Sequence, residues 1–208
     1  QSPSVVNLTR RMNENGEVSW NAPSGRWSVL RIGHVNTGAK NIPAPPEGTG
    51  FECDKLSTEA ADAQFDAYIG RLTVPGGPLH GKLRTVLMDS WECGQQTWTS
   101  GLDNIFVLRF GYDLITWIPA VFGYVVDSHD DTARFLNDWR TLNSDLISDN
   151  FFGHMSKRAR ERGMGIEFEA AFGNSIPGDI MKYYKYADTP MCEFWQPAVS
   201  FNFTPVKP

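Results

Sequence analysis

The stretch Leu83-Arg84-Thr85-Val86-Leu87-Met88-Asp89-Ser90-Trp91-Glu92 carries the reading of the fold. Its first part is a short apolar run with β-branched members bounded by polar residues, the pattern of a strand buried on both faces. Its second part leaves that strand through two carboxylates, Asp89 and Glu92, around an indole. Open parallel sheets and (β/α) barrels both carry their reactive groups at such C-terminal strand ends.

Upstream, Ser57 is a suitable N-cap for a helix whose Ala61, Phe65, Tyr68, Ile69 and Leu72 fall on one face, and Pro75-Gly76-Gly77-Pro78 ends it. Downstream, a helix is predicted over 103–110, and another from Asp113 that bends or stops at Pro119. Asp130 or Asp131 is the expected cap of a long helix with Phe135, Trp139, Leu142, Leu146 and Met155 near one stripe, closed by Gly163. The basic residues of its last turns (Lys157, Arg158, Arg160, Arg162) read as a solvated face at a helix C-terminus. A second strand over 164–170, a Gly/Pro loop, a short helix over 179–186 and a third strand over 189–195 complete the alternation. Such alternation predicts an α/β fold with parallel pairing, and leaves a barrel and a doubly wound sheet both open.

The first 35 residues have a different texture. Val5-Val6-Asn7-Leu8, the turn signal Asn15-Gly16, Val18-Ser19-Trp20 and the alternating Trp27–Ile32 run read as a small β meander or part of a sandwich. Residues 36–50, with Pro43, Pro45 and Pro46 close together, suit neither a helix nor a central strand. The expected division is therefore a β segment over 1–45, part of a β module, and an α/β region over 46–208.

The chain has 208 residues, 41% hydrophobic, enough for a sizeable core. A net charge of -5 argues against a nucleic-acid groove, which needs clustered Lys and Arg. Uncharged sugars impose no such demand, and the seven Trp, six Tyr and thirteen Phe supply flat rings for sugar C–H faces as well as for a core. No run of about 18 apolar residues is present, so no membrane insertion is expected. Cys53, Cys93 and Cys192 form neither a zinc pattern nor, being odd in number, a complete disulfide framework, and read as mostly buried thiols.

Four groups of carboxylates stand at or near expected strand ends: Asp89 with Glu92, Glu167 with Glu169, Glu193, and Glu52 with Asp54. Glu167 and Glu169, two apart in a strand, share a face, with Ile166 and Phe168 on the other. Two like charges on one face need a cation, a shared proton or a partner Arg. Converging carboxyls are what glycoside hydrolysis uses, one protonating the leaving oxygen and a second attacking the anomeric carbon or activating water. Trp91, Trp98, Phe168, Phe172, Phe194 and Trp195 are the expected walls of a sugar subsite. The four His show no HExxH-type spacing, no phosphate-binding Gly loop is present, and Ser90 lacks a GxSxG elbow.

Several motifs in one order, Trp20–Trp27, Leu30–Gly33, Gly50–Leu56, Asp89–Glu92, Phe110–Leu114 and Ala187–Trp195, resemble the bacterial α-L-rhamnosidases of glycoside hydrolase family 106 over nearly the whole chain. The resemblance implies a (β/α)8 TIM-barrel enzyme of several domains that removes terminal L-rhamnose with inversion and holds calcium at the sugar site. It makes Glu92 the general acid and Glu169 an active-site acid. In the family that acid precedes Pro-Tyr-Gly, whereas Ala170-Ala171-Phe172-Gly173 follow here. Asp89, Trp91, Glu193 and Trp195 would bind the sugar, and Glu167 with Glu193 the calcium. The water-activating carboxylate is expected past Pro208, so the chain reads as a partial barrel, shorter than the roughly 250 residues of a whole one, and a poor catalyst alone. A periplasmic or secreted bacterial enzyme is expected, with self-association through exposed barrel edges. Two rival readings are a retaining glycosidase with both carboxylates, for example Glu92 and Glu169, in this chain, and a carbohydrate-binding or structural module without catalysis.

Overall fold

The computed structural model of the chain describes residues 5–170 and 178–192. Its helices are α1 (Thr58–Phe65), α2 (Arg71–Thr73), α3 (Leu102–Phe110), α4 (Leu114–Trp117), α5 (His129–Leu146), α6 (His154–Glu161) and α7 (Ile180–Tyr184). Its strands are β1 (Thr85–Met88), β2 (Gly165–Ala170) and β3 (Thr189–Cys192), in one parallel sheet of order β1-β2-β3. The chain divides into two compact units, residues 1–35 with 101–139, and residues 36–100 with 140–208.

In the first unit, Phe106 lies against Phe110, Tyr112 and Phe135, with ring centroids 4.8, 5.0 and 5.8 Å away. Gly101 and Gly111, both with positive φ, bracket α3, and Asp113 caps α4 by accepting from the amides of Ile115 and Thr116. The chain then tightens into a 3-10 turn, Ile118–Phe122, at Pro119, where the bend was predicted. The start of α5 differs from expectation. Ser128 is the cap: its hydroxyl accepts from the Asp131 amide at 3.0 Å and donates to the Asp131 carboxylate at 2.6 Å.

The segment expected to be β before residue 45 has little regular pairing within the chain itself. Among the described residues, 5–35 contain one antiparallel bridge, Met12 to Val18, around the Asn15-Gly16 turn, and no named strand. The alternation in Trp27–Ile32 is real, but Val29 is 78% exposed and no strand pairs with it. A lone hairpin without a buried face is marginal, so alternation alone does not make a sheet.

The second unit holds the sheet and its core. Ser57 caps α1 as predicted, through a 3.2 Å bond from the Ala60 amide. The helix runs on through a wider turn, Asp66–Gly70, into α2. α5 likewise passes through a wide turn, Ile147–Gly153, into α6, which Gly163 ends at φ 72°. Ile166 and Phe168 of β2 are 1% and 0% exposed. They join Phe152, Tyr183, Met155 and Ala159 in one cluster. The basic run is not simply solvated: Arg158 pairs with Asp62 and Asp66 of the α1 region, and Arg160 with Asp188 at 3.0 Å. Asp188 also accepts from the Ile166 amide at 2.9 Å, which fixes the start of β3 against β2.

The strand pairing is in simple register, Leu87 opposite Glu167, Met88 opposite Phe168 and Glu169 opposite Met191. Directly opposed residues share a face, so Leu87, Glu167, Glu169 and Met191 lie on one side, and Met88, Ile166, Phe168 and Cys192 on the other. Among the described residues, the second side carries the fully buried Ile166 and Phe168 of the core cluster. Leu87 is 54% exposed, so β1 is not buried on both faces as its apolar run suggests. Among the described residues, β1 and β3 are edge strands.

Candidate active site

The site is built where β1 and β2 end, within the second unit. Asp89 follows Met88 and Glu169 follows Phe168, so the register sets the two carboxyls side by side. A side-chain hydrogen bond with Glu169, with a second from the Ser90 amide at 2.8 Å, holds the Asp89 carboxyl below its ordinary pKa. The first of these bonds joins Glu169 of β2 to Asp89 just past the end of the neighbouring β1.

The loop after β1 carries Glu92, which is exposed. The Ser90 hydroxyl donates to its Oε1 at 2.9 Å. Ser90 therefore touches both carboxylates of the loop, its amide on Asp89 and its hydroxyl on Glu92. Glu167 stands on the same sheet face as Glu169, half-buried. Glu193 and Trp195 lie outside the described residues, as do Phe172 and Phe194.

The rings depart from expectation. Trp91 is 4% exposed and belongs to the core cluster, its indole N–H donating to the Gly94 carbonyl at 2.7 Å. Phe168 is fully buried on the helix side of the sheet. Neither ring offers a face to a sugar; both hold up the carboxyl-bearing backbone. The reason is positional, since an aromatic beside a strand end serves equally well as core filling.

Glu52 and Asp54 are also employed otherwise. Glu52 pairs with Lys55, whose ammonium is buried and lies 5.3 Å from the Trp91 ring centroid and 5.2 Å from that of Phe151. Burial alone would lower the Lys55 pKa; the bond to Glu52 and the nearby Cys93 and Cys53 thiols reverse that, and it stands above the ordinary lysine value. Asp54 accepts from the Leu56 amide and from the Thr99 hydroxyl at 2.6 Å. Gln96 bridges the two loops, accepting from the Lys55 amide at 2.8 Å and donating to the Cys53 carbonyl at 3.0 Å. Cys53 and Cys93 are half-buried, and burial raises both thiol pKa values. Lys55, Gln96 and Thr99 were missed from the sequence, where the spacing of Glu52 and Lys55 was the one available signal.

Among the described residues, no three His, Cys, Asp or Glu side chains gather as a metal site. Calcium takes six to eight oxygens, so the described carboxylates do not form its cage by themselves. Chemically, the cluster offers two hydrogen-bonded carboxyls at adjacent strand ends, Asp89 held in place by the Ser90 amide, and an exposed Glu92 tethered to the same loop.

The depressed Asp89 acidity has a direct test. Its stabilising contribution is present above the ordinary carboxylate range and is lost as pH falls through its own lower value. A carboxyl NMR titration is expected to place Asp89 below the ordinary Asp value of about 3.9. Glu169→Gln, whose amide still donates, should keep it low, whereas Glu169→Ala should let it rise. An Asp89 midpoint indifferent to Glu169→Ala would show that the bond to Glu169 is not what lowers it.

The family described as alpha-L-rhamnosidase, glycoside hydrolase 106, matches residues 1–206. A protein of Formosa agariphila that carries a provisional β-glucuronidase name is 37% identical over 206 residues, covering 99% of this chain and 18% of that protein. A solved rhamnosidase structure from Novosphingobium sp. PP1Y is 30% identical with a TM-score of 0.72, covering 88% of this chain and 18% of that one. The chain thus spans about 18% of each relative's length.

Proposed function

The chain belongs to glycoside hydrolase family 106, the α-L-rhamnosidases, and on that premise we propose that it supplies the acid side of a site hydrolysing terminal α-L-rhamnosides. The observation that carries this reading is the convergence of Asp89 and Glu169, hydrogen-bonded at adjacent parallel strand ends, with Glu92 tethered to the same loop through Ser90. Glu92 protonates the departing glycosidic oxygen. Asp89, Glu169 and Glu193 accept hydrogen bonds from sugar hydroxyls, with Trp195 as the ring contact. A carboxylate outside these 208 residues activates water, and the anomeric centre inverts. The three parallel strands are read as part of a (β/α)8 barrel. Carboxyls at C-terminal strand ends and the sheet face shared by Leu87, Glu167 and Glu169 support that reading.

Calcium, when bound, would be held by Glu167 and Glu193 and would help fix the sugar hydroxyls. A β-glucuronide substrate is the second reading, favoured by the name of the 37% identical relative. The electrostatics favour the neutral sugar: Asp89 and the neighbouring acidic side chains would repel a uronate carboxylate.

Aryl α-L-rhamnoside and aryl β-D-glucuronide, offered to the full-length protein that carries this sequence, decide between them. Turnover of the rhamnoside alone is expected, with the product anomer inverted when followed by proton NMR. Activity should fall on chelation and return with calcium. Turnover of the glucuronide alone would overturn the rhamnoside reading, and a retained anomer would place the nucleophile in the site instead of a water-activating base.

A further inference from the structure

We propose that Ser90 is the positioning residue of the proton donor, fastening the Glu92 carboxyl to the sheet through Asp89. This deepens the reading above and rests on Glu92 being the acid. Glu92 is an exposed side chain on a loop, and a flexible exposed glutamate loses most of its value as a general acid unless its carboxyl is held in place. The structure shows what holds it. The Ser90 hydroxyl donates to Glu92 Oε1 at 2.9 Å, while the Ser90 amide donates to Asp89 Oδ1 at 2.8 Å. Asp89 is itself bonded to Glu169 on β2. The intervening Trp91 is buried and anchored to the Gly94 carbonyl, so the loop turns about a fixed ring. A single small residue thus joins the acid to two strands.

The chemistry gives that bond a catalytic consequence. The proton leaves the Glu92 carboxyl for the glycosidic oxygen. The bond from that oxygen to the anomeric carbon breaks, its electron pair staying on the oxygen. A water oxygen bonds the anomeric carbon and its proton passes to the base. Glu92 ends as a carboxylate, and a hydroxyl donating to Oε1 binds that charged form more strongly than the neutral acid. Ser90 accordingly stabilises the transition state more than the ground state, although it acts through Glu92.

The test compares Ser90→Ala, Ser90→Thr and Glu92→Gln in the full-length protein, on 4-nitrophenyl and alkyl α-L-rhamnosides. The first substrate has a leaving group that departs without a proton; the second needs one. Ser90→Ala is expected to lower kcat about tenfold on the alkyl rhamnoside, with KM and the 4-nitrophenyl rate little changed. Ser90→Thr, which keeps the hydroxyl, should restore the rate. Equal losses on both substrates, no loss, or no rescue by Ser90→Thr would overturn the proposal while leaving Glu92 as the acid. Absence of the leaving-group split in Glu92→Gln, or no rhamnoside turnover at all, would sink the underlying reading and this inference with it.

Discussion

Glu92→Gln in the full-length protein is expected to lower kcat on an alkyl α-L-rhamnoside by about a thousandfold, within the range general acids contribute. Glutamine keeps the shape and can still accept the Ser90 hydroxyl bond, but it has no proton to give. On an activated aryl rhamnoside the loss should shrink to about tenfold or less, because a good leaving group departs unassisted. Measured over a series of aryl leaving groups, log kcat should become steeply dependent on leaving-group pKa in the variant and stay nearly flat in the parent. Equal losses across the series would remove Glu92 from the acid's role, and Glu169, the other active-site acid expected from the family resemblance, would take its place as the candidate.

Phe152→Ala carries the largest expected effect on stability. Phe152 is 3% exposed, stacks on Tyr183 with centroids 4.0 Å apart and planes at 11°, and meets Phe168 edge-on at 5.0 Å. Truncation leaves a cavity under the sheet, and buried Phe→Ala changes cost about 3–5 kcal/mol. The natural contrast is Leu87→Ala on the opposite face, 54% exposed, which should cost about 0.5 kcal/mol. Urea titration of the 208-residue chain, comparing midpoints for the two variants, checks both. A Leu87 variant as damaged as the Phe152 variant would mean that both sheet faces are packed.

The two experiments probe opposite faces of β2. Its alternation was legible in the residues: Ile166 and Phe168 are buried and Glu167 and Glu169 face the other way, as a period of two requires. Helix ends were legible where a local signal sets them, as at Ser57, Asp113 and Gly163. The start of α5 was not, because three neighbouring residues, Ser128, Asp130 and Asp131, could all cap it, and the backbone chose the serine. The basic turns of α6 look solvated in one dimension because their partners, Asp62, Asp66 and Asp188, are distant in sequence.

What the sequence by itself determined was the parallel α/β alternation, the two-faced character of β2 and the presence of acids at strand ends. These follow from periodicity and from short-range chemistry, which need no knowledge of where the chain returns. Only the tertiary structure decided that Asp89 is hydrogen-bonded to Glu169, that Trp91 supports the site from beneath, that Glu52 is committed to Lys55, and that residues 5–35 form no sheet among themselves. Each of these depends on which strand or loop lies alongside. A carboxylate or an indole has the same local signature whether its neighbour is solvent, a second acid or the core.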